Sequence, residues 1–160
     1  MIQLDKAEAV ARSTLGTDLD AEECAALAEQ MGVQATRQGE ILVRENERRR
    51  TLFVLAEGHL SVCRTDGDKD VTLYQLRMGE CAGARAFLDG SERRAMLRID
   101  APGAVLTLEP ENFERLIESH PRLMYKVMRA LFRATHANLM RMNLESAELR
   151  NYMMKTGGRY

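Results

Sequence analysis

Residues 79–98 read GECAGARAFLDGSERRAMLR. Gly79, Gly83 and Gly90 supply turns. Ala84 to Leu88 predicts one helical turn after Gly83, and Arg93 and Arg94 precede Ala95-Met96-Leu97, an apolar run expected to form a buried strand. A glycine turn that opens a helix leaves backbone N–H groups unpaired, and an arginine beyond it can fork onto phosphate oxygens. The stretch is an anion cradle in outline, although many strand–helix junctions also carry glycine and arginine.

Outward from this stretch, period-two patterning dominates residues 33–108. Seven short strands are expected, beginning at Val33, Ile41, Leu52, Leu60, Val71, Ala95 and Ala104. Turn signals separate them at Gln38-Gly39, Glu57-Gly58, Asp66-Gly67-Asp68, Met78-Gly79, Asp89-Gly90 and Pro102-Gly103. Short strands at such spacing predict a sandwich or jelly roll.

Helices flank the strands. Leu4, Ala7, Val10, Ala11 and Leu15 predict a helix over about 3–15, stopped by Gly16. Asp20 and Glu23 form a capping-box pattern for a second helix, running to about Met31 with Gly32 beyond its end. Phe113, Leu116 and Ile117 give an apolar face between Glu111 and Pro121. From Pro121 to Gly157 neither Pro nor Gly interrupts the chain. A seam runs along this helix through Tyr125, Met128, Phe132, Thr135, Leu139, Met142, Ser146, Leu149 and Met153. Its alternating steps of three and four are the heptad rule for helix pairing.

Length fits one domain with an extension, and 45% apolar residues can fill one core. A net charge of −1 gives no global drive toward nucleic acid or anionic membrane. No run is long enough to span a bilayer, and the first residues lack the pattern of a secretory signal. Cys24, Cys63 and Cys81 are odd in number and widely spaced, which argues against a disulfide framework or a zinc site and for a cytoplasmic protein. No nucleophile elbow, Walker loop or zinc-protease motif is present, so no catalytic residue and no metal ligand is assigned.

In this order, residues 79–98 resemble the phosphate-binding cassette of the cyclic nucleotide-binding domain, the sensor domain of the catabolite activator protein family. Gly83 takes the cassette's glycine place, Phe87-Leu88-Asp89-Gly90 its apolar stretch and turn, and Arg93 its arginine place. Gly39-Glu40-Ile41-Leu42, Phe53 to Gly58, Gly79-Glu80 and the helix ending at Pro121 resemble further family steps, so the likeness covers about 20–140. Two positions depart from the pattern. Ala84 stands where the family has the glutamate that accepts the ribose 2′-hydroxyl, and Arg94 replaces a Ser/Thr.

The resemblance implies a mainly β fold with flanking helices: a cyclic nucleotide-binding-like double-stranded β-helix, or jelly roll, followed by a long C-terminal helix. Residues 1–19 would be a helical extension, 20–121 the jelly-roll domain, and 122–160 the dimerisation helix and a short tail. No DNA-binding domain is expected in the remaining residues, so neither DNA nor membrane is an expected partner. The implied ligand is a cyclic nucleotide such as cAMP or cGMP, or another phosphate-bearing small molecule, with no further cofactor. Gly83, Ala84, Arg85, Ala86, Arg93 and Arg94 would surround its phosphate, and Thr135 and Asn138 would read its base from the long helix. The implied function is a non-enzymatic regulatory module that homodimerises and signals through that helix to a downstream protein. The alternative is a degenerate fold that binds no nucleotide and serves dimerisation or protein interaction.

Overall fold

The computed structural model describes residues 3–157, with Met142, one position of the predicted seam, described by its backbone alone. Helix α1 (Lys6–Arg12) is capped by the Asp5 carboxylate, which accepts the Glu8 N–H at 3.2 Å. It is shorter than the sequence suggests, because Ser13 turns to extended backbone and a 3-10 turn, Thr14–Gly16, follows. In α2 (Ala21–Glu29) Asp20 and Glu23 make the expected reciprocal capping box. Gly32, expected just past the helix, instead begins the first strand.

Six strands form one antiparallel sheet: β1 (Gly32–Thr36), β2 (Ile41–Val43), β3 (Leu52–Asp66), β4 (Lys69–Leu76), β5 (Cys81–Ala82) and β6 (Met96–Leu108). The main order is β1-β6-β3-β4, with β2 also on β6 and β5 also on β3. Here the structure corrects the strand count. The segments beginning at Leu52 and Leu60 are one strand, as are those beginning at Ala95 and Ala104, while Cys81–Ala82 adds a short one. Glu57-Gly58 and Pro102-Gly103 are not turns. They face each other where β3 and β6 change register, with Glu57 opposite Ala104 and His59 opposite Ala101. A Cβ on Gly103 would lie 2.0 Å from the Glu57 carbonyl oxygen, and one on Gly58 2.8 Å from that of Ala101. The glycines let two backbones cross at a bulge, so both long strands bend and the sheet rolls up.

The roll has two apolar layers, and β3 shows why. Phe53 and Leu55 point inward with Leu60, Val62, Leu97, Ile99 and Val105. Leu52 and Val54 point the other way, onto Leu27, Phe87, Phe113, Leu123, Val127 and Leu131 of the surrounding helices. Both faces are covered, so four consecutive residues are buried rather than alternate ones.

Helices α3 (Ala84–Asp89), α4 (Pro110–Glu114), α5 (Leu116–Ser119) and α6 (Pro121–Gly157) complete the chain. Phe113 and Leu116 are buried as expected, but Ile117 is 54% exposed, because the helix breaks between α4 and α5 at Arg115. At about 1.5 Å per residue the 37 residues of α6 extend about 55 Å. Only its first part is packed, through Leu123, Val127, Ala130 and Leu131. Lys126 reaches Glu23 at 2.7 Å, and Arg129 and Arg133 share Asp18 at 2.9 and 3.1 Å. The seam residues Tyr125, Met128, Phe132, Leu139, Leu149 and Met153 stand exposed. Among the described residues no helix is long and apolar enough to cross a membrane.

Candidate phosphate-binding cassette

The cassette begins where β5 leaves its pairing with β3. Gly83 takes φ 91° and opens α3, and Gly90 closes it at φ 74°. Within α3, Phe87 is buried against Phe113 with ring centroids 5.5 Å apart, which ties the cassette to the helices after the roll. Asp89 accepts the Ser91 backbone N–H at 2.8 Å and the Ser91 hydroxyl. The Ser91 hydroxyl bond, then the backbone bond, holds the Asp89 carboxyl below the usual carboxylate range.

Arg93 is 5% exposed. It meets neither Glu92 nor Asp89, the acids adjacent in sequence. Its Nε donates to the Arg49 carbonyl at 2.8 Å, and Nη2 donates to that of Thr51. The guanidinium lies 5.8 Å from the Phe53 ring centroid, and Arg49 stands 5.2 Å from the same ring. The remaining nitrogen, Nη1, faces Gly83: a Cβ there would lie 1.8 Å from it. Gly83 is therefore required by space as well as by its positive φ. Burial, and after it the charge of Arg49, pulls the Arg93 pKa below the ordinary arginine value. An arginine so shifted still carries its charge at neutral pH.

Two adjoining hollows flank this arginine. The inner one, about 160 Å³, is walled by Val62, Tyr74, Ala82 and Leu97 and reached by Gly83 and Arg93. The outer one is a groove of about 750 Å³ that runs past Ser91 and Ala95 to Arg64 and Leu73 on the β3–β4 hairpin. Arg85 and Arg94 line both, while Ala86 lines the inner one. The Tyr74 phenol pKa is raised by burial and next by Glu80, and Arg141 of α6 acts in the opposite sense.

Gly83, Arg85, Ala86, Arg93 and Arg94 are therefore gathered at one place. Ala84 is not among them, since its methyl packs against the helical core layer. Thr135 and Asn138 line neither hollow within one chain; Thr135 is exposed and Asn138 Oδ1 accepts from Arg141 at 2.8 Å. Sequence reasoning did not single out Tyr74, Arg64 or Arg50. Arg50 donates to the carbonyls of Ala86 at 3.3 Å and Phe87 at 3.0 Å, closing the C-terminal end of α3. The triplet Arg48-Arg49-Arg50 was the available signal, because three adjacent arginines before a buried strand need acceptors. Among the described residues no cluster of His, Cys, Asp and Glu could hold a metal ion.

Comparison with known proteins agrees with this geometry. No curated protein matches the chain in sequence. The structure is similar to a cyclic nucleotide-binding domain from Methylobacillus flagellatus, with TM-score 0.75 and 22% identity over 85% of this chain and 77% of that one. It is similar to the catabolite activator protein of Thermus thermophilus, with TM-score 0.68 and 26% identity over 89% of this chain and 63% of that one. It is also similar to the regulatory subunit of a cAMP-independent protein kinase A from Trypanosoma brucei, with TM-score 0.68 and 19% identity over 81% and 45%. The profile of the cyclic nucleotide-binding domain matches residues 33–120, more than half of the chain. With the rolled sheet, the glycine-bounded α3 and the long helix behind them, this match shows that the chain belongs to the cyclic nucleotide-binding domain family.

Proposed function

We propose that the chain is a regulatory, non-catalytic module that takes a phosphate-bearing nucleotide beside Arg93 and passes the bound state to a partner protein through α6. The observation that carries this is the pinned arginine. Two of its nitrogens are fixed on the carbonyls of Arg49 and Thr51, and the third is left at Gly83, where the exposed Arg85 and Arg94 also converge. A phosphate placed in this hollow has three arginines in its lining. The site offers no carboxylate at position 84, so the ligand is held by its phosphate and not by its ribose hydroxyl. Transmission through α6 is supported by the core layer in which Phe87 of the cassette and Phe113 pack with Leu123 and Val127 of α6.

The proposal includes a homodimer. The exposed seam on α6 is the surface for it. In parallel pairing with Tyr125, Phe132, Leu139, Ser146 and Met153 at one core position, Glu145 of one copy stands beside Arg150 of the other. It also includes a cytoplasmic location, where the three free cysteines stay reduced.

A second reading, a fold that binds no nucleotide, is favoured by one observation. The inner hollow of about 160 Å³ is smaller than the about 300–1,000 Å³ of most small-molecule sites. Isothermal titration with cAMP and cGMP separates the two. Saturable heat that is lost in Arg94→Ala supports the ligand module. An inert protein that still dimerises supports the second reading.

A further inference from the structure

The outer groove sets a charge problem that a single phosphate does not solve. Arg64, Arg85, Arg93 and Arg94 face it, against only Glu45 and Glu92. Glu92 pairs with Arg48 at 3.2 Å, while Glu45 accepts the Thr65 backbone N–H and keeps its charge, so the lining holds two more arginines than glutamates. Arg93 is held by backbone carbonyls, and Arg85 stands 3.8 Å from Asp89. Among the described residues Arg64 and Arg94 have no acidic partner and no hydrogen-bond acceptor. The whole chain has a net charge of −1, so this excess is local.

Position adds to charge. Val62 walls the inner hollow, and Arg64, two residues along β3, walls the outer groove. A strand advances about 3.3 Å per residue, so the Cα of Arg64 stands about 7 Å along β3 from that of Val62. Leu73, 40% exposed and unpaired at the register shift opposite Val62 and Cys63, lines the same groove and offers an apolar surface for a base. A ligand whose first phosphate sits at Arg93 and Arg94 and which follows the groove toward the hairpin meets Arg64 next. The groove of about 750 Å³ has room for that second half, which the inner hollow has not.

From this geometry we infer that the ligand carries two phosphates set apart, as in a cyclic dinucleotide, and that Arg64 is the residue that selects it over a cyclic mononucleotide. The inference rests on the reading of the cassette as a phosphate site. A charge-assisted contact to a second phosphate is expected to tighten binding about 10- to 100-fold.

The test is isothermal titration of the full chain at physiological salt with three ligand sets: cAMP and cGMP, cyclic di-AMP and cyclic di-GMP, and ADP and GDP. Wild type is compared with Arg64→Ala, an exposed change whose fold is checked by circular dichroism. The expected result is a Kd for one cyclic dinucleotide 10- to 100-fold below that of its mononucleotide. In Arg64→Ala that advantage disappears while mononucleotide binding is unchanged. Equal binding of mononucleotide and dinucleotide overturns the inference and leaves the phosphate site standing. So does a loss in Arg64→Ala that is the same for both, since that is a general field effect. A linear diphosphate that binds as tightly as the dinucleotide overturns the requirement for separated phosphates. Binding of none of the six at millimolar concentration overturns the inference together with the phosphate site.

Discussion

Replacing Arg93 by alanine is expected to destabilise the protein even when no ligand is present. The side chain is nearly buried and its Nε and Nη2 are the donors for the carbonyls of Arg49 and Thr51. Thr51 is 1% exposed, so water does not take the place of the lost donor without opening the strand. One buried acceptor is orphaned, at Thr51, at a cost of about 1–3 kcal/mol, whereas the Arg49 carbonyl belongs to an exposed residue that water reaches. Loss of the cation over Phe53 costs a further ~0.5–2 kcal/mol. Against this stands relief from dehydrating a guanidinium, an effect of several kcal/mol per ion in the opposite direction. The balance is a loss of about 1–3 kcal/mol. For a chain of this size about 2–4 °C accompanies each kcal/mol, so Tm falls by about 2–12 °C. Arg93→Lys recovers little, because one ammonium does not span both carbonyls. Calorimetry of the ligand-free protein reads this directly, with the exposed Arg94→Ala as the control, expected within about 0.5 kcal/mol of wild type. If Arg93→Ala and Arg94→Ala melt together at the wild-type temperature, Arg93 is an ordinary surface arginine and the pinned-fork account is wrong.

Gly103→Ala is expected to unfold the roll or leave it insoluble, because its Cβ would stand 2.0 Å from a backbone oxygen, whereas Gly157→Ala, with open space around it, leaves the melting temperature unchanged. Leu139→Glu on the exposed seam is expected to give a monomer in sedimentation velocity with its melting midpoint intact, since α6 is buried only up to Leu131; a dimer that persists removes the seam from the interface. Burial pushes the Cys81 thiol up to about 11, with the Thr14 hydroxyl bond opposing and Glu80 adding. The raised value means that folding favours the neutral thiol. This contribution is therefore whole below about pH 9 and is lost as pH rises toward 11, by at most about 3 kcal/mol. Urea midpoints between pH 8 and 11 should fall more steeply for wild type than for Cys81→Ala, and parallel curves would refute the assignment.

Much of the fold is legible in the sequence because it is written in local chemistry. Asp20 and Glu23 three apart dictate their capping box, and Gly83 and Gly90 bound α3 because each adopts a left-handed conformation. The misread turns on β3 and β6 share one cause. Gly58 and Gly103 look like turn residues, yet their missing side chains serve a crossing between strands more than forty residues apart. Nothing in either segment alone carries that information. The cassette divides the same way. Order and spacing place Gly83, Arg85, Ala86, Arg93 and Arg94 together. The sequence is silent on which way an arginine points, and Arg93 turns to the carbonyls of Arg49 and Thr51, partners supplied by tertiary packing. Thr135 and Asn138 are apart from the cassette in a single chain because α6 carries them past the packed part of the helix.

The most direct test of a phosphate site beside Arg93 is titration of the purified chain with cyclic mono- and dinucleotides, followed through the Tyr74 environment by fluorescence or NMR. Saturable binding that perturbs Tyr74 and is abolished by Arg94→Ala is the predicted result. A protein that remains folded and dimeric, binds none of these ligands at millimolar concentration and shows no change at Tyr74 contradicts the account.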